Sequence, residues 1–470
     1  MSVTTHGSPD GDDAPRLVSW CGGDERGVRI LGGTVVSDTT VLIVGGGFAG
    51  VACAKQLAKR DVGVILLDEN NYHQFQPLLY QVATAQIAAY DIARPLHGIF
   101  RGDKTVDVRR TAAVSIDPET RSVTTTAGPT ISADYLVIAA GAQANFFGTP
   151  GAAEHAFPLY SLNDAERLRS HVLALLDASA QDPSLIERGS MAFVIVGGGP
   201  TGVESAGAVA EALRDVVPER YTTLSEVAEV HIVDLGDALL APFSERAHAY
   251  VAKRLEQDGV EIHLGIGVKE VRADRVVLTD GSEIRTRTVV WGGGEKAADV
   301  VGNAGLPQGR GGRIDVQRDL TVEGHPRVYV LGDAANITDQ NGAVLPQLGS
   351  VAAQSGTWAG DNILNDLAGK DRKPFHYKDK GIMAMIGRNA AVAEMGKHRH
   401  EVEGPVAFAA WLGVHAMLLS GARNRIDAFM AWGWDYFSKN RATALIDRPD
   451  AATIDWGDED DEAPDLTPRS

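Results

Sequence analysis

The residues of this sequence best suited to chemistry form a glycine-rich turn, GGGFAG at 45–50, which follows an apolar run and precedes a helical pattern. In a G-x-G-x-x-G turn of this kind, Gly45 makes the tight bend, Gly47 lets a pyrophosphate approach the backbone, and Gly50 lets helix and strand pack closely. The unpaired N–H groups of the helix N-terminus attract phosphate. A second apolar run ends in Asp68, which is placed to accept a hydrogen bond from a ribose hydroxyl.

The same pattern recurs as GGGPTG at 197–202, so Gly197, Gly199 and Gly202 predict a second dinucleotide site. The matching acid is Asp234, at the end of the following apolar run. Because no Arg follows it directly to meet a 2′-phosphate, we expect NADH in preference to NADPH. Two dinucleotides on one chain meet to exchange hydride, which indicates an oxidoreductase.

The elements that position these turns alternate between apolar strands and helical patterns, which predicts an α/β fold with two Rossmann-like domains. Gly141 ends the run 134–141, where small residues let the backbone pass close to a flat cofactor. Asp333 ends the run 328–333 and is predicted to point at the cofactor. Residues 70–84 lack a clean period and predict an irregular loop that crosses toward the cofactor.

A length of 470 residues predicts two or three domains. The start of the chain lacks the basic and apolar regions of a signal peptide and is expected to be disordered. The predicted boundaries are 1–38 for this extension, 39–160 with 305–370 for the first dinucleotide domain, 161–304 for the second, 371–448 for a C-terminal module, and 449–470 for an acidic disordered tail.

Charge and cysteine content exclude several classes of protein. A net charge of −18 argues against nucleic acid as a partner, because phosphate binding requires a basic face. Cys21 and Cys53 are far apart in sequence, which suits a reducing cytoplasm and excludes a dithiol redox centre or a cysteine-ligated metal. We also expect no metal site, and Cys53 is predicted to be a packing residue.

The C-terminal module carries signs of membrane contact. Residues 406–422 are apolar but too short to span a bilayer comfortably, and residues 427–440 place aromatic side chains at helical spacing. Between residues 370 and 448, thirteen Lys and Arg face eight Asp and Glu, a net charge of about +5 that suits an anionic membrane surface. We expect two amphipathic helices lying in the membrane face, the alternative being a core helix pair or a dimer contact.

With these residues in view, residues 39–448 resemble the type II NADH dehydrogenases, the single-subunit, non-pumping NADH:quinone oxidoreductases. The motifs that carry the resemblance are GGGFAG, NNYHQFQPLLYQVAT, VIVGGGPTGVE, VYVLGDAA and RKPFHYKDKGIMAMIGRNAAVAEMGK. The resemblance implies a glutathione-reductase-like arrangement, with FAD on the first turn and NADH on the second. It also implies hydride transfer from NADH to FAD and onward transfer of two electrons to menaquinone or ubiquinone, on a peripheral protein of the cytoplasmic membrane face.

The resemblance also assigns individual residues. It places Gly45, Gly47, Gly50, Asp68, Gln76, Pro77 and Asp333 at FAD, and Gly197, Gly199, Gly202 and Asp234 at NADH. Glu204 in PTGVE matches a carboxylate close to the flavin and the nicotinamide, and it is the candidate for orienting the nicotinamide or relaying a proton. The alternative for Glu204 is an acid that favours the helix dipole.

One segment departs from the family pattern. Where the family usually has an Ala-Gln pair lining the quinone pocket, this chain has Gly349 and Ser350. Gln354 remains at the later family position, and Gln347 is near enough in sequence to supply an amide. Gln347, Ser350 and Gln354 are therefore the predicted quinone contacts, and the departure leaves the electron acceptor open.

Two alternative functions remain open from the sequence. A soluble NADH-dependent flavoprotein reductase that passes electrons to a ferredoxin-like protein predicts a basic docking face near the flavin and no membrane affinity. A flavoprotein that binds NADH with little turnover is the non-enzyme alternative. The sequence leaves the oligomeric state open, a homodimer included.

Overall fold

The computed structural model describes residues 38–215, 221, 223–396, 398–438, 441, 443–454 and 456. The strands are β1 (Thr40–Val44), β2 (Gly63–Asp68), β3 (Tyr72–Gln74), β4 (Ala93–Pro95), β5 (Val106–Arg110), β6 (Ala113–Asp117), β7 (Ser122–Thr125), β8 (Thr130–Ser132), β9 (Tyr135–Ile138), β10 (Ala142–Ala144), β11 (Ala156–Pro158), β12 (Ala192–Val196), β13 (Glu229–Asp234), β14 (Val260–Leu264), β15 (Val268–Val271), β16 (Arg275–Leu278), β17 (Glu283–Arg285), β18 (Thr288–Trp291), β19 (Glu295–Ala297), β20 (Ile314–Asp315), β21 (Thr321–Val322), β22 (His325–Val330), β23 (Ala335–Asn336), β24 (Gly381–Gly387), β25 (Ala390–Met395) and β26 (His400–Glu403). The helices are α1 (Phe48–Leu57), α2 (Leu79–Ala83), α3 (Ala89–Ile92), α4 (Leu96–Ile99), α5 (Ala152–His155), α6 (Leu162–Gln181), α7 (Pro200–Asp215), α8 (Glu245–Gln257), α9 (Asp299–Gly302), α10 (Gly349–Leu367), α11 (Pro405–Leu418) and α12 (Ala422–Ser438).

The first large sheet runs in the order β21-β22-β9-β1-β2-β5. All its neighbours pair in parallel except β21, which is antiparallel to β22. Strands β1, β2 and β9 are apolar and almost wholly buried, as expected for parallel strands that are covered on both faces. The sheet draws its strands from residues 40–138 and again from 321–330, so the chain returns to it after building the second sheet.

The second large sheet runs in the order β11-β18-β12-β13-β14 and is parallel throughout. In each sheet an interior strand leads through a glycine turn into a helix, β1 into α1 and β12 into α7. The predicted α/β fold with two Rossmann-like sheets is confirmed.

The C-terminal part of the chain forms an antiparallel sheet, β24-β25-β26, followed by the helical hairpin α11–α12. Strand β24 packs on α7, and α11 packs on β25. The short turn that connects the two helices contains Gly421, whose φ is +101°. Among the described residues, no helix combines the length and the apolar character needed to cross a membrane.

The expectation of an irregular loop at 70–84 is wrong. This segment contains β3, a 3-10 turn at Gln76–Leu78, and α2. Pro77 is the second residue of the turn, and Leu78 and Leu79, at its end and directly after it, are fully buried. Burial of these apolar side chains imposes regular structure where the sequence shows no clear period.

The expected disordered tail is also wrong for its first residues. Ile454 and Trp456 are buried against Ala174 and Leu175 of α6. The guanidinium of Arg287 lies 5.4 Å from the centre of the Trp456 ring. The remaining tail, from 457, and the predicted extension up to residue 37 with Cys21 lie outside the described residues.

A buried ion network attaches the C-terminal module to α7. The Glu211 carboxylate lies 3.1 Å from the Arg388 guanidinium and 3.4 Å from that of Arg441. Arg441 also lies 3.4 Å from Asp435 on α12, and its side chain is 1% exposed. Charges removed from water need their partners, so this network fixes the position of the module.

Replacing Arg441 by Ala should remove one of the two guanidinium groups, Arg388 and Arg441, that pair with the Glu211 and Asp435 carboxylates, and lower the free energy of unfolding by about 3–5 kcal/mol. The matched control is Arg423→Ala, because Arg423 pairs with Asp427 at 3.3 Å on the surface with its side chain 89% exposed. That control should cost less than about 1 kcal/mol. Denaturant unfolding of both variants measures the difference, and equal stabilities would contradict the buried network.

Candidate active site

The two glycine turns have the same backbone geometry. The φ angles are +104° at Gly45 and +107° at Gly197. A Cβ atom at Gly50 would lie 1.8 Å from the Gly45 carbonyl oxygen, and one at Gly202 would lie 1.8 Å from the Gly197 oxygen. No side chain fits at such distances, so the close packing of helix on strand requires glycine at both positions.

An acid braces each turn from the end of the neighbouring strand. Asp68 accepts a hydrogen bond from the Gly46 N–H at 2.6 Å, and Asp234 accepts one from the Gly198 N–H at 2.5 Å. Burial raises the pKa of Asp68 to about 6. Each carboxylate oxygen has a second lone pair, so both acids can still accept from a ribose hydroxyl.

The second glycine of each G-x-G-x-x-G motif, Gly47 or Gly199, faces open space. A Cβ atom at Gly47 or at Gly199 would meet no protein atom within 4 Å, and the same is true of Gly141. The open space adjoins the N-termini of α1 and α7, whose free N–H groups favour anionic ligands. Both turns therefore have the shape and the polarity of a pyrophosphate cradle.

Asp333 lies in a 3-10 turn at Gly332–Ala334, just after β22. Its Oδ1 is buried and has no hydrogen-bond partner within the described ranges. The Glu295 carboxylate on β19 is close enough to Asp333 to interact with it electrostatically. Burial raises the pKa of both Asp333 and Glu295, and the Arg313 guanidinium opposes that rise. A buried acceptor without a donor is well matched to a ligand rich in hydroxyl groups, such as a ribityl chain.

Gln76 and Pro77 begin the 3-10 turn that precedes α2. The Gln76 side-chain amide donates to the Tyr160 carbonyl at 3.4 Å, and that of Gln74 donates to the same oxygen at 2.9 Å. The segment is thus held against the residues that lead into α6.

Glu204 lies on α7, close after the second glycine turn, and is 9% exposed. Its Oε1 accepts a hydrogen bond from the Met385 N–H at 3.1 Å. Burial raises the pKa of Glu204 from 4.5 to about 8, although this hydrogen bond opposes the rise. The carboxyl group is therefore protonated at neutral pH and can donate a proton.

Glu204 lines a cavity of about 310 Å³ between α7, α2 and the helical hairpin. Most of the lining is aromatic or aliphatic. The aromatic and aliphatic lining includes Tyr80, Phe408, Leu412, Phe429, Trp432, Tyr436 and Phe437, and Gln81 lies among them. Phe437 is 86% exposed and Phe429 is 52% exposed, so the cavity extends from the buried acid to the outer face of the hairpin.

The predicted quinone contacts lie near the first glycine turn. The Gln347 amide donates to the Asp333 carbonyl at 3.3 Å, and the Ser350 and Tyr377 hydroxyls are 2.8 Å apart. Gln354 exchanges hydrogen bonds with the backbone of Lys378. The described residues that line the Glu204 cavity do not include Gln347, Ser350 or Gln354.

A series of ring contacts links these two places. A Cβ atom at Gly349 would lie 3.4 Å from the Phe48 ring. Phe48 contacts Phe75 at 5.6 Å between ring centres, Phe75 contacts His415 at 6.1 Å, and His415 stacks on Trp411 at 3.8 Å. The start of α10 and the helix α11 are therefore neighbours through one aromatic cluster.

Comparison with known proteins decides the family. The sequence profile of the pyridine nucleotide-disulphide oxidoreductases matches residues 39–356. The type II NADH:quinone oxidoreductase NdhA of Mycobacterium tuberculosis is 36% identical over 427 residues, covering 86% of this chain and 89% of that protein. The chain belongs to the type II NADH dehydrogenases. The resemblance inferred from the motifs is confirmed, and the chain is an oxidoreductase of this family.

Other relatives agree with this assignment. The type II NADH:quinone oxidoreductase Ndh of M. tuberculosis is 33% identical over 422 residues, which are 86% of this chain and 90% of that one. Among solved structures, NDH2 of Plasmodium falciparum in complex with NADH superposes with a TM-score of 0.79 at 17% identity, covering 85% of this chain and 98% of that one. At that identity the superposition shows that this family member shares the fold.

Several residues at the site have no signal in the sequence. Glu295 and Arg313 approach Asp333 from segments that carry no motif. Tyr80 and Gln81 lie within a matched motif, but their place beside Glu204 depends on α12: the Trp432 indole N–H donates to Gln81 Oε1 at 2.8 Å.

Glu204→Gln should make the protein more stable at high pH. In the wild type the folded state holds a proton at Glu204 between pH 4.5 and about 8, whereas the unfolded state has lost it, so stability falls as pH rises through this window. Gln does not titrate and still accepts from Met385. Relative to the wild type, the free energy of unfolding of the variant should rise across that window, by at most roughly 5 kcal/mol above pH 8. Denaturant unfolding from pH 5 to 9 tests this, and a pH-independent difference would contradict a buried, neutral Glu204.

Proposed function

We propose that this protein oxidises NADH and passes two electrons to a membrane quinone, with FAD on the first glycine turn and NADH on the second. The observation that carries this proposal is the cavity that leads from Glu204 to the exposed apolar face of the helical hairpin. A lipid-soluble acceptor needs such a path, whereas a protein acceptor would dock on an outer surface.

The first glycine turn fits FAD. Gly45, Gly47 and Gly50 would receive the pyrophosphate, Asp68 the adenosine ribose, and the unpaired Asp333 Oδ1 the ribityl hydroxyls. Gln76, Pro77 and Gly141 would lie beside the ring system. When bound, FAD would supply the capacity to accept a hydride and release two electrons. The protein contributes position, shape and exclusion of water.

The second turn fits NADH in the same way, with Gly197, Gly199 and Gly202 at the pyrophosphate and Asp234 at the ribose. Asp234 favours a free 2′-hydroxyl over a 2′-phosphate. Glu204 would act at the acceptor side, because its protonated carboxyl faces the cavity and can donate to a bound carbonyl oxygen. From the family resemblance we also expect that electron transfer to the quinone is not coupled to proton pumping.

Gly47→Val and Gly199→Val distinguish the two nucleotide sites without disturbing the fold, because neither new side chain meets protein atoms at its Cβ. Gly47→Val should fold but purify without flavin. Gly199→Val should keep its flavin and show a KM for NADH raised about tenfold or more, as expected when a methyl-bearing side chain fills a ligand's place. Visible spectra and steady-state kinetics measure both effects. Loss of flavin from the Gly199 variant alone would reverse the assignment.

Filling the Glu204 cavity tests the quinone path. Leu412→Trp should raise the KM for a short-chain quinone about tenfold or more, a cost of at least ~1.4 kcal/mol. Reduction of ferricyanide, a small soluble acceptor, should keep its wild-type rate. The control is Val414→Trp, on the same helix but 39% exposed and outside the cavity. Unchanged quinone kinetics in the Leu412 variant would move the acceptor site to Gln347, Ser350 and Gln354.

The outer face of the hairpin is the proposed membrane contact, on the cytoplasmic side. Met417 and Leu418 end α11 and are 74% and 56% exposed, and Ile426 and Met430 on α12 are 61% and 71% exposed. Arg423 and Arg425 stand in the first turn of α12, where they can meet anionic headgroups. An apolar face with basic residues at its edge suits a helix pair that lies in the interface.

Met417→Glu with Met430→Glu should abolish sedimentation with anionic lipid vesicles. Each methionine removed from the lipid loses about 1.5–3 kcal/mol of transfer free energy, and each new carboxylate is repelled by the headgroups. The control is Val114→Glu, at an apolar side chain 52% exposed on β6. Point substitutions are preferable to truncation because Trp411 in the same hairpin is fully buried. Undiminished sedimentation of the double variant would remove the hairpin from the membrane contact.

A further inference from the structure

Four side chains capable of binding or orienting a metal ion share one face of the second sheet. His231 on β13 is the register partner of Glu261 on β14, and His263 follows two residues later on the same face. Glu229 lies two residues before His231. We propose that His231, His263 and Glu261 bind one divalent transition-metal ion of the Zn²⁺ class, at a site separate from both nucleotide turns.

The donor atoms have the spacing of a tetrahedral site. His231 Nδ1 lies 3.3 Å from His263 Nε2 and 3.3 Å from Glu261 Oε2, and the last two atoms are 3.9 Å apart. Zinc bonds of 2.0–2.2 Å at a tetrahedral angle set ligand atoms about 3.4 Å apart. The three atoms therefore need only a small shift at the exposed Glu261 to surround an ion. Three protein ligands leave the fourth position for water.

The second ring nitrogen of His231 supports this arrangement. His231 is 6% exposed, and its Nε2 is buried with no hydrogen-bond partner among the residues described. Glu229 Oε2 stands 3.6 Å away, just beyond hydrogen-bond distance. A histidine that binds a metal through one nitrogen usually donates the other N–H to a carboxylate. Metal at Nδ1 would fix the tautomer with a proton on Nε2, facing Glu229.

The surroundings attract and admit a cation. The cluster opens into a cavity of about 430 Å³ between the second sheet and strands β16 and β17. Besides the two histidines, the charged residues that line it are Glu187, Glu229, Glu261 and Glu283 against Arg285. Two nitrogen donors with a carboxylate favour zinc, cobalt, nickel or copper over magnesium and calcium, which prefer oxygen ligands.

The test is a titration of tag-free, EDTA-treated protein with Co²⁺ and Zn²⁺. One equivalent of Co²⁺ should produce the intense d–d absorption of a tetrahedral site, on the long-wavelength side of the flavin bands, and one equivalent of Zn²⁺ should remove it. Zn²⁺ should also raise the unfolding temperature, since an ion that binds only the folded state stabilises it. Absence of a Co²⁺ band in the wild type would overturn the proposal.

Variants locate the site. His263→Gln and Glu261→Gln change side chains that are 26% and 65% exposed, so both variants should fold and lose the band together with the Zn²⁺-dependent rise in unfolding temperature. Glu229→Gln should weaken binding about 10–100-fold without abolishing it, as expected for a group that orients a ligand. The control is His400→Gln, which disrupts the pair of neighbouring rings at His398 and His400. Retention of the band in the His263 variant, or its loss in the His400 variant, would place the ion elsewhere.

Discussion

The structure depends on one close contact, made twice, in which the helix after a glycine turn lies against the carbonyl of the turn's first residue. At Gly50 and Gly202 even a single methyl group would overlap a backbone oxygen. This contact brings the helix N-terminus to the end of an interior strand. The free N–H groups of the helix therefore lie beside the open space at Gly47 or Gly199. The carboxylates of Asp68 and Asp234 then hold the loops in place by accepting hydrogen bonds from the backbone N–H groups of Gly46 and Gly198.

The C-terminal module extends the second of these turns toward the surface. Glu204 follows the turn on α7, and β24 closes over it with a hydrogen bond from Met385. The buried ion network of Glu211, Arg388, Asp435 and Arg441 keeps the helical hairpin against the same helix. The hairpin can therefore expose apolar side chains on its outer face, the proposed membrane contact, while its inner face, around Trp411, remains part of the protein core.

The sequence predicts the parts of this arrangement that repeat a local pattern. The glycines and strand-end acids could be found because their spacing along the chain follows from the geometry of a strand, a turn and a helix. The structure of the 70–84 segment and the burial of Ile454 and Trp456 could not be found in this way, because they depend on apolar side chains that pack on elements distant in sequence. Glu295, Arg313 and the His231–His263 pair escape detection for a related reason: they come from segments that are distant in sequence and meet only in the fold, the two histidines through the pairing of β13 with β14.

The most direct test of the account is to add NADH anaerobically to the purified protein, follow its visible spectrum, and then supply a menaquinone analogue. We expect a yellow protein whose colour is bleached by NADH and restored by the quinone. A colourless protein that yields no flavin on denaturation and takes none up would contradict it, as would a bleached protein whose colour returns with a ferredoxin but not with the quinone.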